Sequence, residues 1–134
     1  MTCPDCDGDR IAFAVPSSLR PYAPDEALSA TLCTTCLRVA GVDAEDSEVE
    51  PSETIEWGPL PSGEAGVATA LLLGLLDSLA LRRADVTALC EHAEEAGGDP
   101  FLTLDRLAAM AETGDLDPHV DLERRTAQLQ SLVD

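Results

Sequence analysis

The chain has 134 residues, enough for one ordinary domain or for a metal-stapled module joined to a small helical one. With 45% hydrophobic residues but only one Trp, one Tyr and two Phe, its core must be built from Leu, Ala and Val, and this aliphatic content argues against a disordered acidic chain. Acidic residues outnumber basic ones 26 to 8, all eight basic residues are Arg, and the net charge of −18 repels phosphate.

Such a charge suits a salt-adapted cytosolic protein, since the Debye length shrinks to about 3 Å in molar salt and self-repulsion is screened. The N-terminus carries a Cys pair and three Asp residues instead of a basic, apolar leader, so a cytoplasmic location is expected. The longest apolar stretch, Ala65 to Leu76, has 12 residues against roughly 18 for a membrane span, and reads as a buried helix with no membrane partner. Three zones are predicted: a module over 1–41 whose two C-x-x-C pairs, Cys3/Cys6 and Cys33/Cys36, read as a zinc ribbon, an acidic Pro-containing linker over 42–62, and a helical domain over 63–134. The fold class is α+β, a four-cysteine ribbon with a β-hairpin followed by a bundle of about four helices.

In chain order, Cys3-Pro4-Asp5-Cys6 forms the first C-x-x-C knuckle, and the apolar run Ile11 to Val15 a short strand ended by Pro16. Pro16, Pro21 and Pro24 make a loop. Ala30 to Leu32 leads into the second knuckle, Cys33-Thr34-Thr35-Cys36, and Leu37 to Val39 leads out. Four thiolates at about 2.3 Å complete tetrahedral zinc, so Cys3, Cys6, Cys33 and Cys36 are the predicted ligands of a closed structural Zn site. The gap of 26 residues between pairs exceeds the common fifteen to twenty, and the Pro-rich loop absorbs the excess. A redox C-x-x-C would lack its βαβ surroundings and leave the second pair unexplained. An iron–sulfur centre is separated from zinc only by metal content. Asp5, Asp7 and Asp9 resemble the start of a calcium loop, but position twelve would be Pro16.

The linker is acidic at nearly every other place, with Ile55, Trp57 and Leu60 breaking the pattern. Trp57, the sole Trp, is expected to dock the linker on the helical domain, with a partner-binding anchor as the alternative. Ser62 opens a helix to about Ala80 that is apolar on nearly all sides. A second helix, about Ala84 to Ala96, places Val86, Leu89, Cys90 and Ala93 on one face and stops at Gly97-Gly98. Asp99-Pro100 and Asp117-Pro118 each set an N-capping carboxylate before a proline. The third helix shows a stripe of Phe101, Leu104, Leu107, Ala108 and Ala111, and the fourth a stripe of Leu122, Leu129 and Leu132 or Val133. Cys90 reads as core, and His92 and His119 lack a nucleophile beside them. Arg82-Arg83 and Arg124-Arg125 read as ion pairs with Asp85, Asp121 or Glu123, or as forks for an anion.

The segments IAFAVP, CTTCLRV, LLDSLALRR, GGDPFLTLDRL and DPHVDLERRTAQLQ, which span nearly the whole chain, resemble a haloarchaeal family with an N-terminal zinc ribbon and a helical C-terminal region. The resemblance implies life in concentrated potassium salt, zinc ligation by Cys3, Cys6, Cys33 and Cys36, and no assigned activity. The first knuckle is also similar to small archaeal C-P-x-C-G zinc fingers, except that Asp7 stands where their glycine follows the second Cys. That departure bears on turn geometry.

The function expected is that of a non-enzymatic adapter or regulator acting through a protein partner the sequence does not identify. The alternative is a nucleic-acid-associated factor for transcription or translation, although the ribbon offers only Arg10, Arg20 and Arg38 to neutralise phosphates. An enzyme is disfavoured because no open metal position, phosphate loop or nucleophile–base pair is present. An adapter is expected to expose Leu19 and Tyr22 in an apolar patch; a direct nucleic-acid binder would gather its three ribbon Arg residues on one face.

Overall fold

The computed structural model describes residues 3–42 and 57–133. Strands β1 (Arg10–Ala14), β2 (Ser29–Cys33) and β3 (Val39–Val42) form an antiparallel sheet in the order β1-β2-β3, followed by helices α1 (Gly63–Gly74), α2 (Arg83–Glu95), α3 (Pro100–Glu112) and α4 (Leu122–Val133). The expected β-hairpin is β2–β3, folded around the second knuckle; β1 adds a third strand on the other side of β2. The acidic stretch containing Ile55 lies outside the described residues.

Strand alternation decides which side chains face the helices. Ile11 pairs with Leu32 and Phe13 with Ala30, so these four share one face. Phe13, Ala30 and Leu32 are buried in a continuous core with Val67, Leu71, Leu76, Leu89, Leu104 and Leu129 from the four helices. Helix α1 is the centre of this core. Every residue from Ala65 to Leu73 is buried, because β3 packs on one side of the helix and α2 on another. Its all-round apolar sequence is therefore satisfied by neighbours in several directions.

The long β1–β2 connection contains two 3-10 turns, Arg20–Tyr22 and Pro24–Glu26. The Leu19 amide donates to the Pro16 carbonyl (2.9 Å), turning the chain back and driving Leu19 into the core at 0% exposure. Leu19 is thus not a surface residue as expected, and Tyr22 is half-buried with its ring 5.9 Å from His92 of α2. Ser18 Oγ donates to Glu64 at 2.6 Å, tying the same connection to the start of α1.

Trp57 is buried between sheet and helix. Its ring meets Phe13 edge-on at 5.2 Å, and Nε1 donates to the Pro61 carbonyl at 2.8 Å. The close approach requires Gly66: a Cβ there would overlap the Pro61 carbonyl oxygen and lie 2.8 Å from the Trp57 ring.

One helix cap and two helix limits differ from expectation. Ser62 occupies the N-cap position of α1 but makes no side-chain capping bond. That helix ends at Gly74, not near Ala80. The glycine lets Val39 approach so closely that a Cβ would sit 2.7 Å from it, and a 3-10 turn at Leu76–Ser78 follows, with Leu76 and Leu79 buried on either side of its exposed Asp77. The fourth helix begins at Leu122, with Asp121 rather than Asp117 accepting the Arg124 amide (3.2 Å). The Asp117 amide is engaged by the second knuckle instead. By contrast Asp99 accepts the Leu102 amide at 3.1 Å with Pro100 in the first turn, and Val86, Leu89, Cys90 and Ala93 form the buried face of α2. Gly97 (φ 94°) and Gly114 (φ 84°) end α2 and α3 in the left-handed conformation. The following amides, Gly98 and Asp115, close back onto Ala93 and Met110 at 2.8 and 2.9 Å.

No helix among the described residues is long and apolar enough to cross a membrane.

Candidate metal centre

The two knuckles are built alike. In the first, the Cys3 amide donates to the Gly8 carbonyl (2.8 Å) and the Asp7 amide to the Cys3 carbonyl (2.9 Å); in the second, Cys33 donates to Arg38 (2.9 Å) and Leu37 to Cys33 (3.0 Å). Each turn closes through a left-handed residue immediately after its second cysteine, Asp7 at φ 63° and Leu37 at φ 66°. The geometry of a C-x-x-C-G turn is therefore kept without its glycine. Asp tolerates this conformation; Leu37 does not readily, and its side chain is held there by burial at 3% exposure. The glycine one place later serves the contact between knuckles, since a Cβ on Gly8 would lie 2.5 Å from Thr35 Oγ1 and 3.3 Å from Cys33 Sγ.

These turns bring Cys3, Cys6, Cys33 and Cys36 together, with all four sulfurs within 4.8 Å of one another. The Cys3–Cys36 separation is 3.8 Å and the Cys6–Cys33 separation 3.5 Å. A tetrahedron with metal–sulfur bonds of about 2.3 Å has edges of about 3.8 Å, so the cluster fits one thiophilic ion with small adjustments. Three of the sulfurs are buried, and the Thr35 and Cys36 amides both donate to Cys33 Sγ at 3.4 Å. All five cysteines are free thiols.

Without an ion, Cys3, Cys6 and Cys36 are driven in different directions. The Asp5 amide brings Cys3 down to about 7. At Cys6 the Gly8 amide pulls downwards, but burial and the neighbouring sulfurs outweigh it and push the thiol up to about 12. Burial also raises Cys36. The nearby Cys36 sulfur raises Arg38, which also lies 3.9 Å from Asp5. A divalent ion removes this conflict by stabilising the thiolates at once. With four sulfurs taken, no position remains for substrate or water.

The cluster is latched to the C-terminal part of the chain. Asp117 N–H donates to the Thr35 carbonyl (2.9 Å) and His119 N–H to the Cys36 carbonyl (2.9 Å), while His119 Nδ1 lies 2.8 Å from the same Cys36 oxygen. Pro118 falls between these two donors, and having no N–H it leaves no donor unpaired there. This use of Asp117 and His119 is why α4 starts later. The sequence shows His119 only as a histidine without a nucleophile beside it, and nothing local to it signals the contact with Cys36.

Other candidates stay apart from the cluster. Cys90 is 3% exposed, and burial among apolar neighbours with Glu94 and Glu91 nearby pushes its thiol up to about 11. Arg82 Nε pairs with Asp85 at 2.5 Å, and Arg125 donates to Gln128 at 3.0 Å. Among the described residues no group other than the four cysteines could hold a metal by closeness of its donors. Arg10 lies beside Cys33 at the cluster end of the sheet and Arg38 follows the second knuckle, whereas Arg20 lies in the connection beyond the opposite end.

Residues 2–133 match the model of a family described as a family of unknown function (DUF6276), and the chain belongs to that family. No curated protein and no solved structure matches it.

Proposed function

We propose that this family member is a non-enzymatic cytosolic adapter whose four cysteines bind one structural zinc ion, and whose surface beside that ion receives a protein partner. The apolar patch expected at Leu19 and Tyr22 is not there, since Leu19 is buried; the observation that carries the reading is instead an apolar pocket of about 210 Å³ adjoining the second knuckle, lined by Leu32, Leu37, Trp57, Leu107, Met110 and Leu116 among others. A cavity of about 150 Å³ with aliphatic and aromatic walls already accepts a benzene ring, so this pocket has room for a large apolar side chain. Such anchors dominate the energetics of protein interfaces. Four thiolate donors at tetrahedral spacing suit zinc, and metal content separates it from an iron–sulfur centre. The closed donor set supports a structural role.

Direct nucleic-acid binding is disfavoured by the separation of Arg20 from Arg10 and Arg38 and by the net charge of −18. The test is co-purification of the tagged protein in molar potassium chloride, with and without nuclease. Recovery of a defined protein partner irrespective of nuclease is the expected result; recovery of nucleic acid, with partners lost on nuclease treatment, would overturn the reading.

A further inference from the structure

Resting on the adapter reading, we propose that a second groove, between α3 and the start of α4, receives an arginine side chain of the partner protein. The groove has a volume of about 220 Å³. Ala108, Ala111 and Val120 contribute an apolar floor, and Glu112, Asp121 and Glu123 an acidic rim. Asp121 spends one carboxylate oxygen on the Arg124 amide; Glu112 and Glu123 make no ion pair among the described residues. No basic side chain among the described residues lines the groove: Arg124, the nearest along α4, is exposed and makes no ion pair among the described residues, and Arg125 is turned to Gln128.

Three carboxylates, Glu112 at the end of α3, Asp121 just before α4 and Glu123 in its first turn, thus line a shared apolar depression without an ion-pair partner among the described residues. They do not come close enough together to form a metal-holding group, so a point cation would satisfy them poorly. An arginine meets both halves of the site: its methylene stem covers the Ala and Val floor, and its planar fork of five donors spans separated carboxylates. Charge complementarity of this kind selects the partner and sets its register.

The test uses isotope-labelled full-length protein titrated with N-acetyl-arginine N-methylamide and, separately, with the neutral citrulline analogue, while backbone amide shifts are followed. Saturable shifts confined to residues 108–112 and 120–123, about fivefold weaker with citrulline and in the Glu112→Gln/Glu123→Gln double variant, are expected. Both substituted positions are exposed, so the variant retains the fold. Equal binding of citrulline, or shifts spread without saturation over the acidic surface, would overturn the proposal. The same variant should recover about fivefold less of any partner that co-purifies with the wild type. Undiminished recovery would refute the arginine site while leaving the adapter reading intact, whereas absence of a partner from every preparation would refute the adapter reading itself.

Discussion

Gly66→Ala places two effects of opposite sign in competition. In an exposed helix interior the change stabilises by about 1 kcal/mol, because glycine is the poorer helix former. Here the new methyl overlaps the Pro61 carbonyl oxygen and crowds the Trp57 ring, so residues 57–61 must shift away from α1. Overpacking of this type costs about 1–3 kcal/mol. The shift also weakens the Trp57–Pro61 hydrogen bond, worth about 1 kcal/mol, and the edge-on contact with Phe13, worth about another 1 kcal/mol. Subtracting the propensity gain leaves a net destabilisation of about 2–4 kcal/mol, or a fall in Tm of roughly 6–16 °C for a chain of this size. Thermal unfolding of the metal-loaded protein measures it, with Trp57 emission as a local reporter that should shift to the red. A variant as stable as the wild type, with unchanged emission, would refute the packing of Trp57 described here.

Further outcomes follow from single positions. Asp121→Ala should cost about 1 kcal/mol in urea unfolding through loss of the α4 cap, whereas Asp117→Ala, which keeps its backbone donor to Thr35, should change stability by less than about 0.5 kcal/mol. Asp7→Gly, exposed at φ 63°, should stabilise the metal-loaded protein by about 0.5–1 kcal/mol in the same assay, and Asp7→Val should destabilise it. The Cys90 thiol, raised from 9.0 to about 11 by burial, keeps its proton in the folded chain while the unfolded chain loses it. Its contribution is complete below pH 9 and is lost as pH rises towards 11, so unfolding curves across that window should decline more for the wild type than for Cys90→Val.

The elements that were legible in the sequence share a local signal. The two C-x-x-C pairs identify the clustered thiols because two intervening residues suffice to turn both sulfurs to one point. Helix α3 was legible because Asp99-Pro100 caps it and Leu104 and Leu107 repeat on one face. Misreadings occurred where long-range contacts override a local preference. Asp117-Pro118 has the same local form as Asp99-Pro100, yet its donors are taken by carbonyls of the second knuckle more than eighty positions away. Leu19 sits in a proline-rich stretch without periodicity, and only the fold of the two 3-10 turns carries it inside. Val39 packs against Gly74 where α1 ends, a contact invisible along the helix itself.

The most direct test of the central claim is the metal content of protein purified under reducing conditions, compared with that of Cys36→Ser. One zinc ion per wild-type chain is predicted, with most of it lost in the variant and, because Cys36 and Thr35 hold His119 and Asp117, with faster amide exchange in residues 117–119 as well as in the knuckles. A wild-type protein that is metal-free yet folded, or that holds an iron–sulfur cluster in place of zinc, would contradict the account.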